Sequence, residues 1–305
     1  MVKFRKPTQR SGDIIDRRGA TGGGRRGGMA IGAGGGGIAI IIAILFALFG
    51  GGGGGGGGGG LEDILNQLQP ATTAATEINP LDPATDPQAE QADFMSVVLD
   101  DNQAMWADIF AQSGRQYQNA ELIFFNGFTD SGCGGADSRM GPHYCPLDNR
   151  IYLDLEFFDE LASRFGATGD LAPAYVLSHE IGHHVQNLLE IDDQVRQQQQ
   201  QNPGQVNELS VRMELQADCF AGIWASTVFV GQLETGEDIA LDPGEISEAL
   251  EAAAAVGDDR IQETIQGRVD PESFTHGTSE QRQAWFQTGY DSGDPNSCDT
   301  FSGGI

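Results

Sequence analysis

His179-Glu180-Ile181-Gly182-His183 sets two imidazoles four residues apart, with a carboxylate next to the first. The surrounding run from Ala174 to Leu189 is apolar and reads as a helix, so His179 and His183 lie on one helical face. Both rings can turn a nitrogen toward a single metal ion, with Glu180 beside a water on that ion. The chemistry expected of such a set is zinc-assisted hydrolysis of peptide bonds. The chain has only five histidines, His143, His179, His183, His184 and His276. A pattern this short also arises by chance, so the reading depends on whether other residues complete a site.

A catalytic zinc takes three protein ligands and keeps a fourth position for water. The third ligand should come from another element packed on the motif helix. Residues 207–230 are apolar at helical spacing and carry Glu214 and Asp218 four apart, on one face. Glu214 is the expected ligand. Asp218 is the expected acceptor for the second ring N–H of a ligand histidine, fixing its tautomer and orientation. An ordinary acidic helix surface would show the same spacing, but Met213, Leu215, Phe220, Ile223 and Trp224 imply burial, and buried carboxylates need partners. Ala217, Ala221 and Gly222, with Gly182 opposite, are small enough for two helices to approach closely. Zinc lowers the pKa of its bound water to about 7. Glu180 then takes the proton and passes it to the leaving amine. His276, in the polar segment Phe274-Thr275-His276-Gly277, is the candidate donor to the oxyanion; a surface or capping histidine would look alike in sequence. His184 should point away from the metal. His143 receives no role.

The elements that must position these residues occupy about the last two thirds of the 305-residue chain. The formal charge of −27 is uneven, with residues 1–30 carrying eight basic residues and two acids. The rest has no lysine and is strongly acidic. So acidic a domain does not bind nucleic acid by neutralising phosphates. Residues 1–28 read as a basic, disordered cytoplasmic tail. Ile38–Phe49 is twelve residues without a polar side chain, and the uncharged stretch around it makes residues 29–50 a transmembrane helix if its glycines are tolerated. A cleaved signal peptide is the alternative, but no small-x-small site ends the run. The positive-inside rule then keeps the N-terminus cytoplasmic and places the catalytic domain in the periplasm or outside the cell. Residues 51–92 open with glycines and continue rich in proline, as a disordered linker. The domain proper is expected over 93–305. It should be α+β and mainly helical, with helices at 93–113, 155–165, 171–190, 207–230, 245–256 and 279–290 and short strands at 121–128 and 150–154. The glutamine-rich residues 194–205 read as an exposed connection. Four cysteines outside the cytoplasm suggest disulfides. Cys133 and Cys145 flank a glycine-rich loop, which favours their pairing and leaves Cys219 with Cys298.

Residues 93–301 resemble the bacterial neutral zinc metallopeptidase family, whose members often carry one N-terminal membrane anchor. The resemblance rests on SGCGGADSRMGPHYCPLDNRIYLDL, AYVLSHEIGHHVQNLL, SVRMELQADCFAGIWA and FTHGTSEQRQAWFQTGYDSGDPNSCDTF. It implies a zincin-like domain, one Zn2+ per chain, a peptide or protein substrate, and the four cysteines as shared structural features. More distantly, the order His-Glu-x-x-His, Glu-x-x-x-Asp, Thr-His is similar to membrane-linked peptidases, which motivates the roles of Glu214, Asp218 and His276. Those relatives have several membrane spans and this chain one, so cleavage within the membrane is not implied. A zinc-binding scaffold without activity and an amidase of cell-wall peptides are the competing functions. The retained Glu180 argues against the first.

Overall fold

Short runs of consecutive buried residues build a small central sheet, and helices pack against it. The computed structural model describes residues 3–19, 81, 84–167, 169, 171–230, 239–241 and 244–305. Strands β2 (Ile14–Asp16), β3 (Glu121–Phe124) and β7 (Arg150–Leu153) run parallel, and β6 (His143–Cys145) closes one edge antiparallel to β7. The hairpin of β4 (Phe128–Ser131) and β5 (Gly134–Asp137) lies between β3 and β6 in sequence. Its turn is tied to β6 by the Cys133–Cys145 disulfide, with Cα atoms 5.8 Å apart. A second sheet pairs β1 (Lys3–Phe4), β9 (Ile239–Leu241) and β8 (Phe229–Val230).

Helix α1 (Ala89–Gln112) and the motif helix α3 (Ala172–Leu188) pack together through a buried Asn102–Ser178 hydrogen bond of 3.1 Å. Pro173 in the first turn of α3 suits a position where no backbone N–H is needed. Helix α2 (Phe157–Phe165) precedes it. Behind α3 lies α5 (Val206–Thr227), where an added Cβ on Gly182 would stand 3.0 Å from the Ala217 backbone, so the two helices touch there as the small residues imply. Gly222 serves a different neighbour. An added Cβ there would meet the Phe286 carbonyl of α8 (Ser279–Ser292) at 2.0 Å, and one on Gly289 of α8 would meet the Cys219 carbonyl at 1.9 Å. These reciprocal glycines let α5 and α8 run in backbone contact, and the Cys219–Cys298 disulfide ties α5 to the segment that follows α8. A capping box at Thr278 and Gln281 starts α8. Helices α6 (Glu245–Ala255) and α7 (Asp258–Gln266) complete the cover.

Two expectations are corrected. Residues 191–201 form helix α4 (Ile191–Gln201) rather than an exposed connection. Glutamine is a good helix former, Asp192 and Asp193 sit at the positive end of the helix dipole, and buried Gln199 reaches Ser210 of α5. The basic N-terminus is the larger correction. Residues 3–18 belong to the domain, through β1 and β2. Arg18, 6% exposed, donates to Asp86 at 2.8 Å and to Asp16 at 2.6 Å, and Arg10 donates to Asp93 at 2.7 Å. The charges that suggest a tail are here neutralised by the acidic domain. The helix α1 begins at Ala89, so the domain also starts before residue 93. Residues 29–50 lie outside the described residues, and among those described no helix is long and apolar enough to cross a membrane.

Candidate active site

Helices α3 and α5 bring His179, His183 and Glu214 together as a buried cluster, the one metal-ligand grouping found among the described residues. The two Nε2 atoms stand 3.1 Å apart. His179 Nε2 is 3.2 Å from Glu214 Oε2, and His183 Nε2 is 3.5 Å from Glu214 Oε1. Ligands about 2.0–2.1 Å from a tetrahedral ion are about 3.3–3.4 Å from each other. The spacing therefore fits zinc.

The far side of each ring gives an independent test. His179 donates its Nδ1–H to Asp218 Oδ1 at 2.9 Å. His183 donates its Nδ1–H to Gln186 Oε1 at 2.9 Å, and the Gln186 amide is oriented by its own donation to the Met213 carbonyl at 2.8 Å. With Nδ1–H given away, each ring in its neutral form can present an Nε2 lone pair to the same point, the arrangement that two ligands of one metal ion need. Burial opposes charge on His179, but Asp218 and Glu214 outweigh it and push its pKa up to about 9. Burial likewise opposes charge on His183, and Glu214 again raises its pKa. Glu214 itself, despite burial, is held well below the usual carboxylate range by His183, His179 and His276.

Asp218 has more partners than sequence suggests. It is fully buried and accepts from Tyr175 Oη at 2.6 Å, His179 Nδ1, and Arg282 Nε and Nη2 at 2.8 and 2.9 Å. Burial raises its pKa, but Arg282 and His179 lower it by more. Arg282, on α8, is 4% exposed and also lies 3.4 Å from His179 Nδ1. Sequence reading missed it, since one arginine in a helix carries no pattern.

Glu180 is buried on α3, next to His179 in sequence and within electrostatic reach of His183. His276 is buried in the loop before α8. Its Nδ1–H goes to Asp258 Oδ1 at 2.8 Å, while Asp258 Oδ2 accepts the backbone N–H groups of Thr275, His276 and Gly277. Gly277, at φ 91°, permits that turn against Leu215. His276 Nε2 is buried without a hydrogen-bond partner among the described residues, and the ring lies within electrostatic reach of Glu214. Asp258 is a second residue missed in the sequence; its place three residues before Ile261 looks like helix capping.

Two histidines stand apart from the cluster. His184 is fully buried and gives Nε2–H to the Gln118 carbonyl at 2.6 Å, pointing away from the cluster as expected. His143, left without a role, lies on edge strand β6, stacked on Tyr152 at 5.3 Å. Burial lowers its pKa against the pull of the Gly141 carbonyl and of Glu180, so it is a neutral ring within electrostatic reach of Glu180.

Comparison with known proteins agrees with this geometry. Residues 3–301 match the family model described as "putative neutral zinc metallopeptidase". The chain is 51% identical over 218 residues to "Uncharacterized protein YpfJ" of Escherichia coli strain K12, covering 71% of this chain and 73% of that one. It is 47% identical over 190 residues to "Uncharacterized protein Rv2575" of Mycobacterium tuberculosis strain H37Rv, covering 61% and 64%. No solved structure matches. A model that spans nearly the whole chain, over a buried His-His-Glu cluster with oriented rings, makes the chain a member of this zinc metallopeptidase family.

Proposed function

We propose that the chain is a zinc-dependent endopeptidase that hydrolyses peptide bonds with Glu180 as the general base. The observation that carries this is the pair of Nδ1–H donations, to Asp218 and to Gln186, that leave the Nε2 atoms of His179 and His183 facing Glu214. Those three residues would hold one zinc ion. Bound there, zinc would polarise the scissile carbonyl and make water acidic enough to lose a proton near neutral pH. Glu180, one residue from His179, accepts that proton and delivers it to the leaving amine. His276 offers Nε2 toward the developing oxyanion. Its Nδ1 is held by Asp258, which fixes the orientation of the ring.

The endopeptidase reading is supported by β6. It is the edge of its sheet, it packs on α3, and it carries His143 beside Glu180. An extended peptide can add to such an edge by backbone hydrogen bonds, with chain continuing on both sides of the scissile bond. The two disulfides suit a compartment outside the cytoplasm, and residues 29–50 supply the apolar run for membrane attachment.

The test compares wild type with Glu180→Gln on a peptide library, with zinc content measured on both. Glu180→Gln should keep about one zinc and lose about 10²–10⁴-fold in hydrolysis. Equal activity in the two proteins would remove Glu180 from the mechanism. One bound zinc with no hydrolysis by wild type would favour a scaffold.

A further inference from the structure

The chain enters and leaves residues 20–80 at one place. Before that interval, Ile14, Ile15 and Asp16 pair in register with Leu122, Ile123 and Phe124 of the central sheet. The Arg17 N–H donates to the Phe124 carbonyl at 2.7 Å and the Leu122 N–H to the Asp13 carbonyl at 2.8 Å. After the interval, Asp86 meets Arg18 at 2.8 Å, with both side chains almost fully buried. Arg10 and Ser11 reach Asp93 and Ser96 of α1 at 2.7 Å each. The family match also starts at residue 3, so these strands fall within the shared domain.

These contacts constrain the apolar run Ile38–Phe49 between them. A single crossing there would separate Arg18 from Asp86 by a hydrocarbon layer about 30 Å thick. An ion pair and a parallel strand pairing cannot form across it. Two crossings would return the chain to the starting side but need about 40 mainly apolar residues. The run without polar side chains has twelve, bordered by glycine. The positive-inside rule points the other way, toward a cytoplasmic N-terminus. In the folded domain Arg10 and Arg18 are committed to carboxylates.

We propose that residues 3–18 and the peptidase domain lie on the same side of any membrane that residues 29–50 enter, so that the chain is not a single-pass protein with a cytoplasmic tail. This is independent of the catalytic reading, since it uses none of the site residues. All four native cysteines are in disulfides, so single added cysteines report position. Thr8→Cys and Ala107→Cys, both at exposed positions, are expressed in the full chain in bacterial spheroplasts and treated with a membrane-impermeant maleimide before and after lysis. The expected result is matched behaviour: both react before lysis, or both only after it. One cysteine reacting before lysis and the other only after would overturn the proposal. Gln9→Cys with Gln112→Cys, also exposed, repeats the comparison if either first variant fails to accumulate.

Discussion

Replacing Asp218 by asparagine removes one charge from the most heavily bonded carboxylate near the metal cluster. Asp218 is 0% exposed and accepts four hydrogen bonds, from Tyr175, His179 and twice from Arg282. Asparagine keeps the shape but turns one acceptor into an NH2 donor facing other donors. Arg282, 4% exposed, then loses its ion-pair partner. Breaking a buried pair from one side costs about 3–5 kcal/mol. In a domain of this size each kcal/mol is worth about 2–4 °C, so the metal-free melting temperature should fall by roughly 6–20 °C. Zinc affinity should fall about 10–100-fold, because His179 loses the anion that orients its ring and strengthens its Nε2 lone pair.

A second variant separates the two effects. Asp218→Asn with Arg282→Met removes both charges, and replacing a buried pair by neutral residues is often close to neutral in stability. Urea unfolding of the metal-free proteins should show much of the loss restored. Chelator competition should show zinc affinity still reduced, since the anion behind His179 is still missing. If Asp218→Asn binds zinc within twofold of wild type, Asp218 does not support the ligand. If the double variant recovers zinc affinity along with stability, Asp218 acts only by neutralising Arg282.

Two further outcomes follow from the site and its packing. His179 must be neutral to ligate, and in the metal-free protein its pKa is raised from 6.5 to about 9 by Asp218 and Glu214 against the effect of burial; zinc affinity should therefore climb about tenfold per pH unit above pH 6.5 and level off near 9, with proton release seen by calorimetry in buffers of different ionisation enthalpy. The sign for stability is opposite: a raised folded-state pKa stabilises the metal-free protein below about pH 6.5, and this is lost as pH rises through about 9. Flat affinity over that range would mean His179 is not a ligand. Gly289→Ala places a Cβ 1.9 Å from the Cys219 carbonyl and should cost about 3 kcal/mol or more in urea unfolding, whereas Thr288→Ala, at an exposed neighbouring position, should stay within about 0.5 kcal/mol.

The site was legible wherever a spacing rule applied. His179 and His183 announce one helical face, Glu214 and Asp218 another, and buried apolar neighbours on each helix say that the faces meet. Both disulfides followed from the loop that Cys133 and Cys145 flank. What sequence could not show came from tertiary contact without a local period. Arg282 and Asp258 are single charged residues in amphipathic or capping contexts, and their partners lie 64 and 18 residues away. The small residues of both helices imply that Gly222 faces α3, yet helical rotation turns it to α8. Strand β6 is three residues long, too short for alternation to register, so His143 had no context.

The N-terminus differs from what its charge pattern implies for a general physical reason. Charge clusters look like solvated tails when each residue is judged by itself. In a chain with 17 basic and 44 acidic residues, a cation brought near the folded domain meets carboxylates almost wherever it lands. The structure uses this repeatedly. Arg18 joins the N-terminus to Asp86, Arg10 joins it to Asp93, and Arg282 joins α8 to Asp218 of α5. Each pair is largely buried and connects segments distant in sequence. A surface pair would contribute at most about 1 kcal/mol, but the loss of one partner from a buried pair leaves a charge that the interior cannot solvate. Arg10, Arg18 and Arg282 therefore act as cross-links, and Arg282 does so directly behind a candidate ligand histidine. Fold stability and metal-site geometry are coupled through that guanidinium, so substitutions in α8, far from His179 in sequence, should change zinc affinity whenever they move Arg282.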